Sequence, residues 1–141
     1  MTNLLKSLVV FIFVFCALTV RAADPNAAKE ALAVTAATEW LALLDKKLYK
    51  QSWEEAAILF RSKVTTREWE KTIADVRSPF GTLISRKIKA KIYTTTLPGV
   101  DQGEYVVIQF QSQFQNRKDV LETVTPMLDD TKWRVSGYYA R

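Results

Sequence analysis

A single carboxylate lies where a strand pattern predicts a buried apolar side chain. In the segment VLETVTPML, residues 120–128, Val120 and Val124 share one face of a predicted β-strand. The same alternation directs Glu122 to that face. Because an unpaired ionised carboxylate in a protein core costs several kcal/mol, we expect Glu122 to have polar partners there.

The predicted register of the C-terminal hairpin leaves room around Glu122. With residues 129–130 at the tip of the turn, Glu122 lies opposite Gly137, and Tyr139 shares its face. A shift by one residue would turn Trp133 outward, so the hydrophobic pattern favours this register.

Two polar residues of the neighbouring strands complete the predicted cluster. The short turn after Gln115 places Ser112 beside Glu122, and Arg86 follows one strand further away. Strands about 4.8 Å apart put the backbones of Arg86 and Glu122 roughly 10 Å from each other, a gap that two long side chains can bridge. We therefore predict an ion pair between Arg86 and Glu122, with Ser112 and Tyr139 as further members of the cluster.

Three roles fit this cluster. In the first, the ion pair is structural and fixes the register of the hairpin. In the second, Arg86, Glu122, Ser112 and Tyr139 form the floor of a cone-shaped pocket of roughly 300 Å³ or more, which binds a small molecule. In the third, Glu122 is a general base. A carboxylate base works best with a raised pKa, and an adjacent arginine acts in the opposite direction, so the predicted pair argues against catalysis.

The residue types that the chain lacks exclude several kinds of catalytic site. There is no histidine, and the one cysteine, Cys16, lies in the N-terminal segment. These absences exclude a Ser-His-Asp triad and, after residue 22, a cysteine nucleophile or a typical zinc site. The four glycines form no phosphate-binding loop. We therefore predict no cofactor and no metal.

Residues 1–22 have the three parts of a secretory signal peptide. Lys6 precedes an uncharged run at 7–20, and residues 20–22 fit a cleavage site. That run would rise about 21 Å as a helix, less than the roughly 30 Å hydrocarbon core of a bilayer. We predict an exported protein, periplasmic or secreted, with no membrane span after cleavage. An uncleaved anchor is the alternative.

The charge of the chain excludes one class of partner. Cleavage after Ala22 would remove Lys6 and Arg21 and no acid, which lowers the formal net charge from +5 to +3. Such a mild, unclustered charge does not fit nucleic-acid binding. The predicted partner is an unknown protein or small molecule of the cell envelope.

The predicted fold class is α+β. After a flexible lead-in at residues 23–30, residues 31–141 form one domain. The helical period predicts three helices, the second capped by Ser52 and the third by Thr65 with Glu68. Beyond residue 82 the period changes to two, which predicts a four-stranded antiparallel meander with the helices on one face. The order also allows a cone-like roll of the sheet.

Several surface and core patterns have alternative interpretations. The first strand alternates between a predicted buried face and a basic stripe, which protects a sheet edge or binds an anionic protein or lipid head group. The glutamines of the second strand are a solvated face or an adhesive surface. The tryptophans and Tyr49 are core or a pocket lining. The predicted buried face of the first strand consists of Ile84, Ile88, Ala90 and Ile92, and its basic stripe consists of Lys87, Lys89 and Lys91. The glutamines are Gln109, Gln111, Gln113 and Gln115, and the tryptophans are Trp40, Trp53, Trp69 and Trp133.

Four segments resemble one protein family in order: WLALLDKKLYKQSW, VRSPFGTLISR, LPGVDQGEYVVIQF and ETVTPM with WRVSGYY. The resemblance is to the bacterial exported proteins grouped as domain of unknown function 4019, and it covers roughly residues 34–141. The family has no established activity or catalytic residues, so the resemblance implies none. The order of elements is also similar to the nuclear transport factor 2-like fold, which hosts both enzymes and inert modules.

Together these patterns predict an uncharacterised exported domain that acts as a non-catalytic binding or structural module in the cell envelope. The alternative is an enzyme or small-molecule binder with a cone-shaped pocket that uses Glu122 and Arg86.

Overall fold

The computed structural model describes residues 23–141, which form four α-helices followed by four β-strands. The predicted signal peptide lies outside the described residues. The elements are α1 (Ala27–Asp45), α2 (Tyr49–Glu55), α3 (Ile58–Lys63), α4 (Thr66–Arg77), β1 (Leu83–Thr94), β2 (Tyr105–Phe114), β3 (Val120–Asp129) and β4 (Lys132–Ala140), with a 3₁₀ turn at Ser78–Phe80. The strands pair antiparallel in chain order. The predicted α+β class with a meander sheet is confirmed.

The core lies between the helices and one face of the sheet. Apolar residues spaced by three and four along α1 are buried, and they meet alternate residues of β2 and β3. These are Ala33, Ala37, Trp40, Leu41 and Leu44 on α1 and Val106, Ile108, Phe110 and Val124 on the sheet. Within residues 23–141, no helix combines the length and the apolar character that a membrane crossing needs.

The helical region differs from the prediction at the second helix. That segment forms α2 and α3, because Ala57 leaves the helical conformation and its N–H donates to the carbonyl of Val135 at 2.8 Å. Ser52 lies within α2, so its predicted role as an N-cap is wrong. The capping box of α4 is confirmed, since Thr65 and Glu68 exchange side-chain and backbone hydrogen bonds.

The N-terminal turn of α1 is anchored to the sheet. Residues 27–30, expected to belong to a flexible lead-in, are helical. Lys29 pairs with Glu104, which also accepts a hydrogen bond from the Tyr93 hydroxyl at 2.9 Å. Lys29 and Tyr93 hold the pKa of Glu104 below its ordinary value.

The C-terminal hairpin has a different register from the predicted one. Asp129 pairs with Lys132, and Glu122 lies opposite Ala140 instead of Gly137. A β-bulge between the partners of Thr125 and Pro126 adds one residue to β4.

This bulge reverses the alternation of β4 beyond it. Tyr138 therefore packs on the core side, and Tyr139 is 62% exposed. The prediction that Tyr139 shares the face of Glu122 is wrong, and Tyr138 occupies that place.

Strand β1 also departs from strict alternation. Register shifts after Leu83 and after Ile88 turn side chains away from the predicted faces. Ile84, Ile88 and Ile92 are 61%, 43% and 63% exposed, and Ala90 is exposed as well, so the predicted buried face of β1 is wrong. Lys91 leaves the basic stripe and pairs with Glu30 at 2.9 Å.

Candidate functional site: a buried charge cluster

Four charged side chains meet between the helices and the sheet. Asp45 is the last residue of α1, Arg77 is the last residue of α4, Arg86 lies on β1 and Glu122 lies on β3. All four are joined by ion pairs, and the two positive charges balance the two negative ones. We call these four residues the charge cluster. Because its members come from two helices and two strands, the cluster connects the helical layer to the sheet.

Every acceptor position of the Glu122 carboxylate is occupied. Oε1 accepts from Arg77 Nη1 at 2.6 Å and from the Tyr138 hydroxyl at 2.7 Å. Oε2 accepts from Arg86 Nε at 2.7 Å and from Ser112 Oγ at 2.5 Å. A carboxylate offers about four lone-pair sites, so four donors saturate it. The residue has no exposed surface.

Asp45 links the same two arginines at the outer end of the cluster. Its Oδ2 accepts from Arg86 Nη1 at 2.7 Å, and its Oδ1 accepts from Arg86 Nη2 at 3.0 Å, which is a bidentate pair. Oδ1 also accepts from Arg77 Nη2. Each arginine therefore bridges both carboxylates, so the four charges form one network and not two separate pairs.

Aromatic rings enclose the cluster. The guanidinium of Arg77 lies 4.8 Å from the centroid of the Phe114 ring, and that of Arg86 lies 6.0 Å from it. The Tyr138 ring packs 5.7 Å from that of Trp40. The tryptophans predicted as core or pocket lining are core at Trp40 and Trp69, which are buried.

The electrostatics of the cluster favour the charged arginines. Burial acts to lower the pKa of Arg86, but its hydrogen bond to Asp45 and the charge of Glu122 outweigh burial and hold that pKa above its ordinary value. The pKa of Arg77 is raised as well, against the effect of burial, by Tyr138 and Glu122. Burial and the Glu122 charge raise the pKa of Tyr138, which keeps the phenol protonated as a donor.

The structure brings together three of the four sequence-predicted residues. Arg86, Ser112 and Glu122 are in mutual hydrogen-bond contact, and the predicted Arg86–Glu122 ion pair is present. Tyr139 lies on the other face of the sheet, and the hydroxyl of Tyr138 contacts Glu122 instead.

Sequence reasoning missed Asp45 and Arg77. Both continue a buried helical stripe: Arg77 follows Ile73 by four residues on α4, and Asp45 follows Leu41 by four residues on α1. A charge at such a position is unusual unless it is paired. This spacing is the signal that indicates both residues.

Two clefts beside the cluster are small, and Glu122 lines neither of them. One, of about 230 Å³, is lined by Arg86 and Ser112, among others. The other, of about 170 Å³, is lined by Asp45, Arg77 and Gly81, among others. Small-molecule sites generally need about 300 Å³ or more. A ligand in the smaller cleft would meet Asp45 and Arg77, both of which already have charged partners.

One family model matches the chain. The family is described as "Protein of unknown function (DUF4019)", and the match covers residues 36–138. This range contains all four residues of the charge cluster together with Ser112 and Tyr138. A search of curated proteins finds no match.

Replacement of Glu122 by glutamine should destabilise the fold. In Glu122→Gln, two buried arginines share one carboxylate, and removing one partner of a buried ion pair generally costs about 3 kcal/mol or more. Urea unfolding of residues 23–141, followed by tryptophan fluorescence, measures this loss. Glu70→Gln, at an exposed position of α4, is the matched control and should change stability by less than about 0.5 kcal/mol. If Glu122→Gln and the parent unfold at the same urea concentration, the ion pairs of Glu122 do not stabilise the fold.

Replacement of Tyr138 by phenylalanine should lower the free energy of unfolding by an amount that depends on pH. Near pH 7 the variant loses its hydrogen bonds to Glu122 and Arg77, which is worth about 1–2 kcal/mol. An unfolded tyrosine ionises near pH 10, whereas burial raises the pKa of folded Tyr138 above that value. The stabilisation by the phenol is therefore complete below about pH 10 and decreases as the pH rises towards the folded pKa. In urea titrations, the difference in free energy of unfolding between parent and variant should therefore become smaller above about pH 10.

The exposed Tyr139 supplies the control for that experiment. Tyr139→Phe should match the parent from pH 7 to about pH 11, since its ring is largely in solvent. If the difference in free energy of unfolding between the parent and Tyr138→Phe stays constant across this pH range, the phenol is not a buried donor.

Proposed function

The chain belongs to the family of proteins of unknown function designated DUF4019, and we propose that it is an exported, non-catalytic module that binds a protein partner in the cell envelope. The observation that carries this proposal is the saturation of Glu122, the only fully buried carboxylate among residues 23–141. A general base must have a free lone pair within reach of a substrate proton. Glu122 has four donors and no exposed surface, so it offers none.

The rest of the sequence supports the same proposal. The chain has no histidine and no cysteine beyond Cys16, so the common nucleophile–base pairs have no candidates among residues 23–141. The enzyme alternative would need Glu122 and Arg86 at an open pocket. In the structure Arg86 is paired with both Asp45 and Glu122.

With Glu122 saturated, the surface of the domain is the remaining place for a binding site. Ile84 and Ile92 on the edge strand β1 are each more than 60% exposed, although most large apolar residues of this size are buried. An edge strand that carries exposed apolar side chains can pair with another chain. The partner in this proposal is therefore a protein.

Export is inferred from the sequence of residues 1–22. The uncharged run at 7–20 and the cleavage site after Ala22 fit a signal peptide. No disulfide can form within the chain after cleavage, because the remaining residues contain no cysteine.

The export proposal predicts a processed protein outside the cytoplasm. The full chain with a C-terminal tag, expressed in a Gram-negative host, should appear in the periplasmic fraction with Ala23 as its first residue by intact mass. Phe13→Arg interrupts the apolar run and should leave an unprocessed cytoplasmic chain. Retention of Met1 in a cytoplasmic parent chain would overturn export.

The same tagged chain tests the binding part of the proposal. Chemical crosslinking in an envelope extract of the source organism should give one defined complex with a second protein. A chain that elutes uncrosslinked at its monomer mass under these conditions would contradict a protein-binding role.

A further inference from the structure

The two edges of the sheet differ in how they are covered. At β4 the connection between α2 and α3 occupies the edge: Ala57 N donates to the Val135 carbonyl at 2.8 Å, and Ile58 N donates to Asp129 Oδ2 at 2.9 Å. Arg134 also reaches the Glu55 carbonyl. A further strand cannot pair along this part of β4.

Strand β1 is the open edge. It has twelve residues and pairs only with β2 within the described part of the chain. Alternate residues of an edge strand direct their N–H and C=O groups away from the sheet, where they can pair with another chain. Ile84, Ile88 and Ile92 are 61%, 43% and 63% exposed along this edge.

The charge of this edge distinguishes between its possible occupants. Lys29, Lys50, Lys71 and Lys91 each pair with an acid, whereas other exposed lysines of residues 23–141, such as Lys63 and Lys132, do not. Lys87 and Lys89 are exposed, and they form no ion pair with any residue of the range 23–141. The edge therefore combines apolar side chains with two lysines that form no ion pair with the described residues.

A second copy of this chain fits the edge poorly. If two β1 strands paired antiparallel along the regular stretch 85–88 with Lys87 at the centre, the two Lys87 side chains would lie directly opposite each other. Like charges directly opposite each other destabilise a strand pair. An acidic strand meets the same lysines with opposite charge.

We propose that the β1 edge binds an extended acidic segment of a partner protein, which adds a fifth strand to the sheet; this inference rests on the proposed function. Backbone hydrogen bonds to β1 supply affinity, and alternating acidic and apolar side chains select the segment through Lys87, Lys89 and the isoleucines. The register shifts of β1 divide it into two regular stretches, residues 85–88 and residues 90–94. The bound segment is accordingly short.

The experiment uses a defined peptide as the probe. A fluorescein-labelled eight-residue peptide of alternating valine and glutamate is titrated with the processed chain, and a peptide with lysine in place of each glutamate is the charge control. We expect the acidic peptide to bind and the lysine peptide not to bind. Raising the salt concentration from 50 to about 500 mM should weaken the binding, since exposed charges are screened.

Paired variants locate the site. Lys87→Glu with Lys89→Glu should weaken binding of the acidic peptide about tenfold, equivalent to about 1.4 kcal/mol. The control is Lys63→Glu with Lys132→Glu, which makes the same change in net charge at exposed residues beside the covered β4 edge. The control should bind like the parent. In ¹⁵N–¹H spectra of the parent, the acidic peptide should shift the amide signals of residues 84–92.

Three results would overturn the inference. Equal loss in both double variants would indicate a general charge effect, and unmoved β1 amides would indicate a different site. Binding of phosphatidylglycerol vesicles through Lys87 and Lys89, without binding of the acidic peptide, would identify a lipid surface as the occupant.

The crosslinking experiment separates this inference from the proposed function. If the parent and both double variants form the same complex, the β1 edge is not the site, although the protein-binding role stands. If the parent forms no complex, the proposed function itself fails.

Discussion

A carboxylate that is cut off from water requires positive charge around it, and this requirement organises the whole domain. Glu122 lies on the inner face of the sheet with no exposed surface, and two arginines and two hydroxyls surround it. Two arginines beside one carboxylate would leave excess positive charge, which Asp45 balances. Because Asp45 and Arg77 are the last residues of α1 and α4, charge balance is achieved only when both helices dock at this place.

Buried polar groups are also paired around Ser52, at a place separate from the charge cluster. Ser52 is buried in α2, where its carbonyl accepts from Trp40 Nε1 at 2.7 Å and its hydroxyl accepts from Trp69 Nε1 at 2.9 Å. Buried indole N–H groups need such acceptors. The tryptophans thereby fix α2 against α1 and α4, and the charge cluster fixes α1 and α4 against the sheet.

Local sequence patterns predicted a substantial part of this arrangement. Strand alternation identified Glu122 as an inward carboxylate and Arg86 and Ser112 as its partners, because these residues lie on consecutive strands of a meander. Tyr139 was misplaced because a β-bulge depends on tertiary contacts of β4 and has no clear local signature here. Asp45 and Arg77 were missed because the docking of helix ends on a sheet joins residues far apart in the chain. Ile84 and Ile92 were assigned to the core because register shifts in β1 change the alternation, whereas Ile88 lies opposite the buried Phe110 and is exposed at the edge of the sheet.

Charge balance holds the cluster together, and a double-mutant cycle tests this most directly. Arg77→Met and Glu122→Gln are made singly and together, and their free energies of unfolding are measured in urea. The double variant retains one balanced pair, Arg86 with Asp45, so its loss should be smaller than the sum of the single losses by at least about 1 kcal/mol. If the loss of the double variant equals the sum of the two single losses to within about 0.5 kcal/mol, charge balance does not hold the cluster together.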